Sequence, residues 1–224
     1  MKVATFNCNS VRSRLEIIIK WLSENIPDVL CLQETKVQDK DFPEGEFKKL
    51  GYHSLFVGQK AYNGVAIITR EKASLISTDL QKGFGSEARF LEIEYDGSFI
   101  LNVYVPQGTS VESERFPYKL SFLDRLLEYL NEHHNPSQRI ILAGDFNVAL
   151  EDIDVYDPEA FRNEVCFHPE EQKRLQKLLE WGLVDTYRFK YPEKRCYTFW
   201  DYRIPNGFKR NLGWRIDYIL CTKI

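Results

Sequence analysis

Two uninterrupted apolar runs, Val29-Leu30-Cys31-Leu32 and Ile140-Ile141-Leu142-Ala143, constrain this chain more than any other feature. Both are far shorter than the roughly 20 residues that a membrane-spanning helix needs. They carry neither a helical nor an alternating period, which is the pattern of strands buried on both faces. Both also end in polar groups, Gln33-Glu34 and Gly144-Asp145.

Residues 3–7 read as a short strand. Residues 13–25 space Leu15, Ile18, Ile19 and Leu22 as a helix does, and Pro27 closes it. Residues 1–35 therefore read as β-α-β, with both strands delivering polar side chains at their C-terminal ends. The character then changes: 52–57, 64–69, 90–95 and 99–105 are short aromatic or β-branched runs, with Asp96-Gly97 a hairpin signal between the last two. This stretch is predicted to be antiparallel. Residues 113–134 form an amphipathic helical pattern, 139–145 a buried strand, 169–181 a helix opened by Pro-Glu-Glu, and 214–220 a closing strand. Strand-rich halves with helices in each predict an α/β chain of two mixed β-sheets packed face to face and flanked by helices, in a single domain over residues 1–224.

The chain has 224 residues, 43% hydrophobic and 28% charged, a balance that excludes extended disorder. Its first residues hold one basic side chain, Lys2, and no sustained apolar stretch, so no secretory signal is read there. No membrane association is expected, and the location is predicted to be cytoplasmic, or nuclear in a eukaryote. Cys8, Cys31, Cys166, Cys196 and Cys221 are odd in number and widely spaced, supporting neither a disulfide framework nor a zinc site. Reduced, mostly buried thiols are expected. A net charge of −3 runs against a polyanion partner. That argument is weakened if acids gathered around a cation account for part of the total.

Asn7, Gln33-Glu34, Tyr104, Asp145-Phe146-Asn147 and Asp217 all stand beside buried apolar runs. Taken singly, an Asn or Asp at a strand end is a turn former or a cap. Together they carry more weight, because strand ends in packed sheets converge on one crevice, where carboxylates repel one another unless a cation is present. Mg²⁺ suits such a place: it takes oxygen ligands, keeps several waters and is held by one or two carboxylates with substrate phosphate oxygens. Mn²⁺ is the alternative. Glu34 is the first candidate ligand, helped by Asn7, and His and Cys at zinc spacing are missing.

Thr5-Phe6-Asn7, Leu32-Gln33-Glu34-Thr35-Lys36, Asn63-Gly64-Val65-Ala66, Asn102-Val103-Tyr104-Val105-Pro106-Gln107-Gly108, Gly144-Asp145-Phe146-Asn147 and Arg215-Ile216-Asp217-Tyr218 form an ordered motif series. The series resembles the exonuclease III family of apurinic/apyrimidinic endonucleases, within the endonuclease/exonuclease/phosphatase superfamily. The Tyr104-to-Gly108 strand end of the series and a separate element, Phe199-Trp200-Asp201-Tyr202-Arg203, are the more specific, and they point to the DNA-repair branch. The resemblance implies a four-layered α/β sandwich with one active site at the top of the two sheets. It implies a magnesium-dependent monomer that incises double-stranded DNA 5′ to abasic sites, with 3′–5′ exonuclease or 3′-phosphodiesterase action on damaged 3′ ends.

The resemblance also implies roles. Glu34 holds the metal with Asn7 close by, Asp145 positions or deprotonates water, and Asn147 hydrogen-bonds the scissile phosphate. Tyr104 contacts that phosphate or assists the leaving group, Asn9 touches the phosphate, and Trp200 packs against the abasic sugar, unless Trp200 and Tyr202 are core aromatics. Asp217 matches the acid that pairs with a histidine of an Asp-His motif on a further strand. No such motif follows Asp217 in this sequence. A fragment is the expected reason, over a truncated gene or a non-catalytic relative. His53, His133, His134 and His168 read as surface or turn residues, and Lys36, Lys40, Arg89, Lys209, Arg210 and Arg215 as phosphate contacts or solvated charges. Two other readings stand beside this one, a phosphatase or lipid phosphodiesterase and a catalytically inactive DNA-binding relative.

Overall fold

Among the described residues the strands form two mixed sheets, of four and six strands, flanked by helices. The computed structural model describes residues 1–81, 83–84 and 87–223. They fall into two compact units, Met1–Tyr104 with Gln138–Asp145, and Val105–Ser137 with Phe146–Ile224.

The first unit opens with β1 (Val3–Asn7), α1 (Val11–Asn25) and β2 (Val29–Gln33). The two strands pair in parallel from Val3 opposite Val29 to Asn7 opposite Gln33, as the β-α-β pattern predicts. The helix begins earlier than its apolar spacing indicates, because the Ser10 side chain accepts the Ser13 N–H and caps it. Next come α2 (Glu44–Lys49), β3 (His53–Val57) and β4 (Val65–Thr69). β4 pairs antiparallel with both β2 and β3, giving the order β1-β2-β4-β3. Ile18 and Leu22 of α1, Phe47 of α2, Leu30 and Leu32 of β2 and Ile68 of β4 pack as one cluster. Each side chain so buried stabilises the fold by about 1.5–3 kcal/mol.

The second sheet enters this unit as β5 (Ser74–Ser77), β6 (Phe90–Tyr95), β7 (Ser98–Tyr104) and β8 (Ile140–Asp145). β5, β6 and β7 are antiparallel neighbours, and Asp96 and Gly97 make the expected hairpin turn with φ values of 50° and 66°. β8 runs parallel to β7 and sets Asp145 opposite Tyr104. The approach is so close that a Cβ on Gly144 would lie 2.0 Å from the Val103 carbonyl oxygen, so the glycine of the Gly-Asp-Phe-Asn segment is a packing requirement. Between the two sheets of this unit, Gln33 Nε2 donates to Asn102 Oδ1 at 2.7 Å, and Asn102 Nδ2 donates to the carbonyls of Leu32 and Ala66 at 3.0 and 2.8 Å.

The second unit holds α3 (Arg115–His133), α4 (Pro158–Phe161), α5 (Pro169–Glu180), β9 (Leu183–Asp185), α6 (Thr186–Lys190) and β10 (Asp217–Thr222). α3 packs on α5, and β10 pairs antiparallel with β9. His168 is a helix cap: its Nδ1 accepts the Glu170 N–H while Glu171 returns a bond to the His168 N–H.

Several expectations need correction. The closing strand starts at Asp217 rather than 214, because Trp214 bridges to Val155 and Phe199 while Arg215 is drawn into an ion pair. Arg215 is neither a phosphate contact nor a solvated charge: it is buried, bidentate to Asp154 at 2.8 and 3.0 Å, and bonded to Asp185 at 2.7 Å. Arg89 is likewise buried, paired with Glu87 and lying over the Tyr104 ring. Tyr202 is 92% exposed, so it is no core aromatic. The thiols are undisulfided as expected but not mostly buried, since only Cys8 and Cys31 are. Cys166 and Cys196 fall in loops and Cys196 is exposed. No described helix is long and apolar enough to cross a membrane.

The amide pair between the sheets carries an energetic expectation. Asn102→Ala strips a partner from the Gln33 amide and from two buried carbonyls, at about 1–3 kcal/mol for each group left unsatisfied. Urea unfolding is expected to show a loss of at least about 2 kcal/mol; a loss below about 0.5 kcal/mol, the level of a surface substitution, would refute the bridge.

Candidate active site

In the first unit, parallel pairing sets Asn7 beside Gln33 and Tyr104 beside Asp145. The side chains beyond these ends meet. Asn7 Nδ2 donates to Glu34 Oε1 at 2.9 Å and to Asp145 Oδ2 at 2.8 Å. The Tyr104 hydroxyl acts on the Glu34 carboxylate as well, helping to hold it ionised. Lys36 Nζ pairs with Glu34 Oε2 at 2.9 Å and donates to Asn9 Oδ1, and the Asn9 N–H returns to Asn7 Oδ1 at 3.1 Å. Asn7, Asn9, Glu34, Tyr104 and Asp145, each singled out in the sequence, thus belong to one connected cluster.

The backbone under Glu34 is strained. Glu34, Lys36 and Asn9 have φ values of 51°, 54° and 42°, a region costing a non-glycine residue about 1–3 kcal/mol. Hydrogen bonds on both sides hold the turn there. Cys8, Ser10 and Val11 N–H groups donate to the carbonyls of Gln33, Glu34 and Thr35, while Thr35 and Lys36 N–H groups donate to those of Gly64 and Asn63. The Asn63-Gly64 element of the motif series is therefore the far wall of the Glu34 turn.

Burial by itself would raise the Glu34 carboxyl, but hydrogen bonds from Lys36 and Asn7, the Lys36 charge and the Tyr104 hydroxyl outweigh it and hold the group below the ordinary carboxylate range. Tyr104 moves the other way. Burial first, then the negative charges of Glu34 and Asp145, push its phenol far above the usual value, against the opposing Arg89 charge. It stays a protonated donor. Cys8, pushed up to about 12 by burial, stays a thiol beside the same turn.

Among the described residues no group of three or more His, Cys, Asp and Glu side chains is gathered to hold a metal. What the cluster offers is two carboxylates, Glu34 and Asp145, joined by an amide. That set fits a hard cation that keeps most of its waters and takes one or two carboxylates, and it lacks the thiolates and imidazoles of a zinc site. Asn7 presents its NH₂ to both acids, so its contribution here is to orient Glu34.

The remaining candidates lie in the second unit. Asn147, left-handed at φ 52°, donates from Nδ2 to the Val105 carbonyl at 2.9 Å. It lines an open cleft of about 720 Å³ together with Gln107, Phe199, Arg203, Trp214 and Ile216. Trp200 is not among the lining residues; its ring packs edge-on to Phe208 and its indole N–H is buried without a partner. Neighbours in an extended segment face opposite ways, so Phe199, not Trp200, reaches the cleft. That alternation was the available signal; Phe199, quoted in the motif without a role, and Trp214, read only as part of the closing strand, are the aromatic residues that line the cleft. Asp217 opens β10, and its N–H and that of Ile216 donate to Thr198 Oγ1 at 3.2 and 3.1 Å. Lys40, Lys209 and Arg210 are exposed.

The Lys36 contact has a measurable consequence. In Lys36→Met, carboxyl carbon-13 NMR in the presence of EDTA should place the Glu34 pKa above its wild-type value. A depressed carboxylate contributes stability above its unfolded pKa and loses it as pH falls through the folded one, so the stability lost on acidification should be smaller in the variant and its loss complete at higher pH. An unchanged Glu34 titration would show that Lys36 does not hold the carboxylate ionised.

Residues 4–223 match the Endonuclease/Exonuclease/phosphatase family. The chain is 34% identical over 240 residues to exodeoxyribonuclease III of Haemophilus influenzae, covering all of this chain and 88% of that protein. It is 32% identical over 227 residues to a DNA-(apurinic or apyrimidinic site) endonuclease of Dictyostelium discoideum, where it spans only 63% of the relative's length. The structure of an AP endonuclease from Archaeoglobus fulgidus superposes with a TM-score of 0.97 at 46% identity, covering 99% of this chain and 86% of that one.

Proposed function

The chain belongs to the Endonuclease/Exonuclease/phosphatase family and, within it, to the nucleases of exonuclease III and AP endonuclease type; from that premise we propose that it is a magnesium-dependent phosphodiesterase that incises double-stranded DNA 5′ to an abasic site, acting as a monomer. The observation that carries this reading is the cluster itself: an ionised Glu34, a protonated Tyr104 and Asp145 joined through Asn7.

Mg²⁺ held by Glu34 would stabilise negative charge on the phosphoryl oxygens. Asp145 accepts the proton of the attacking water. As water attacks phosphorus the bond to the 3′-oxygen breaks, leaving a 3′-hydroxyl and a 5′-phosphate on the abasic residue. Tyr104, held protonated, donates to the phosphate or to the departing oxygen. The Asn147 amide and Asn9 hydrogen-bond the phosphate, and Asp217 takes the place of the acid that supports a histidine in the family pattern. In the cleft, Phe199, Trp214 and Ile216 offer an apolar wall for a deoxyribose without its base. The name of the H. influenzae relative, an exodeoxyribonuclease, favours a second, exonucleolytic activity at the same cluster, which we take to be 3′–5′ removal of nucleotides or of blocked 3′ ends.

An end-labelled duplex with one abasic site tests the reading. With Mg²⁺ the protein is expected to cut once, immediately 5′ to the site; with EDTA it is expected not to cut. Asp145→Asn, nearly isosteric, is expected to lose about 10²- to 10⁴-fold in rate with its melting temperature kept. Equal rates in Asp145→Asn and wild type, or hydrolysis of a phospholipid with the abasic duplex left intact, would sink the proposal.

A further inference from the structure

Lys119 sits in the second turn of α3 in the second unit and is fully buried, a position that an amphipathic helix normally fills with an apolar side chain. Its Nζ pairs with Glu171 Oε1 at 2.6 Å, and Glu171 is fully buried too. One acid is enough to neutralise a lysine. The ammonium nonetheless also donates to the Asn147 carbonyl at 2.7 Å and to the Gln107 carbonyl at 3.1 Å, and lies 3.9 Å from Cys166 Sγ. All three of these residues line the cleft.

Those two carbonyls belong to loops, not to helices or strands. Asn147 is held in the left-handed region, and its side-chain amide is bonded to the Val105 carbonyl, two residues before Gln107. The lysine therefore ties together both loops on which the aim of that amide depends. Gly108 makes the approach feasible: its φ is 98°, and a Cβ there would fall 2.8 Å from Val165 Cγ2 and 3.3 Å from Lys119 Cδ. The glycine that ends the Tyr104-to-Gly108 motif thus lets the loop lie along the lysine stem. If burial were the whole purpose, a packed apolar pair would serve at least as well, since a buried ion pair seldom stabilises more than its hydrophobic replacement.

We propose that Lys119, neutralised by Glu171, is a positioning residue that sets the Asn147 amide in the cleft by holding the Gln107 and Asn147 carbonyls. The proposal rests on the nuclease reading, in which that amide binds the scissile phosphate. Lys119→Met alone strands the Glu171 charge and is expected to fold poorly. The informative variant is Lys119→Met with Glu171→Gln, which removes both charges together and is expected to melt within about 5 °C of wild type.

On abasic duplex this double variant should lose about 10- to 100-fold in kcat, since displacing a group by about an ångström costs up to 10². KM should stay within about threefold, whereas a general loosening of the cleft would move KM. In an Asn147→Ala background the same two changes should cost less than about threefold, because the group they position is gone. Full kcat in the double variant, or an equal loss in both backgrounds, overturns the proposal. If the wild-type protein does not cut abasic duplex, the nuclease reading fails by itself. Positioning is then read by NMR: the Asn147 side-chain amide protons should exchange faster in the double variant, and unchanged exchange overturns it.

Discussion

Within the first unit, the amides of Gln33 and Asn102 bond to each other in the apolar space between two sheets, and the placement of the acid cluster follows from that contact. Gln33 is fully buried, and its Nε2 also donates to Thr5 Oγ1 at 2.9 Å. Asn102 spends both donors on carbonyls of β2 and β4. A primary amide in such a place is costly unless bonded, and slipping either strand by one residue would turn these side chains to the opposite face. The bridge therefore fixes the level of β2 against β7. Glu34 is the next residue after Gln33. Tyr104 stands two residues beyond Asn102, on the same face, and β8 pairing sets Asp145 at the height of Tyr104.

Above that fixed level the chemistry is arranged by neutral donors. Two carboxylates this close repel, and Asn7 offsets the repulsion by giving one proton to each. Lys36 adds a charge on the solvent side of Glu34, and Tyr104 adds a donor that burial and the same acids keep from ionising. The strained Glu34 turn persists because five backbone hydrogen bonds from three segments hold it. Rigidity of this kind is what a phosphoryl-transfer site needs, where most of the rate comes from positioning and from charge stabilisation prepared in advance.

Much of this was legible in the sequence, and the parts that were not share a cause. Strands with an uninterrupted apolar core, the Asp96-Gly97 turn and the amphipathic span of α3 each carry a local period or a turn signal, and each appears near its expected place. β5 and β9 are short, and β5 is largely exposed, so neither has a period to detect. The cluster residues were visible as polar groups at the ends of apolar runs. Partners at long range were not. Arg215 and Lys119 carry charges, which in a sequence suggest solvent or phosphate, but Asp154, Asp185 and Glu171 lie many residues away and bury them. The choice between Phe199 and Trp200 depends on which face of an extended segment meets the cleft, and that is set by the bridge from Phe199 to Trp214.

Under the proposed function, the Asn7–Glu34–Asp145 cluster holds one hard cation through Glu34. Titration of Mn²⁺ into the protein, followed by electron paramagnetic resonance, tests it without reference to any substrate. One tight site is expected in the wild-type protein, with affinity at least about tenfold weaker in Glu34→Gln. Equal Mn²⁺ affinity in the two proteins would contradict it.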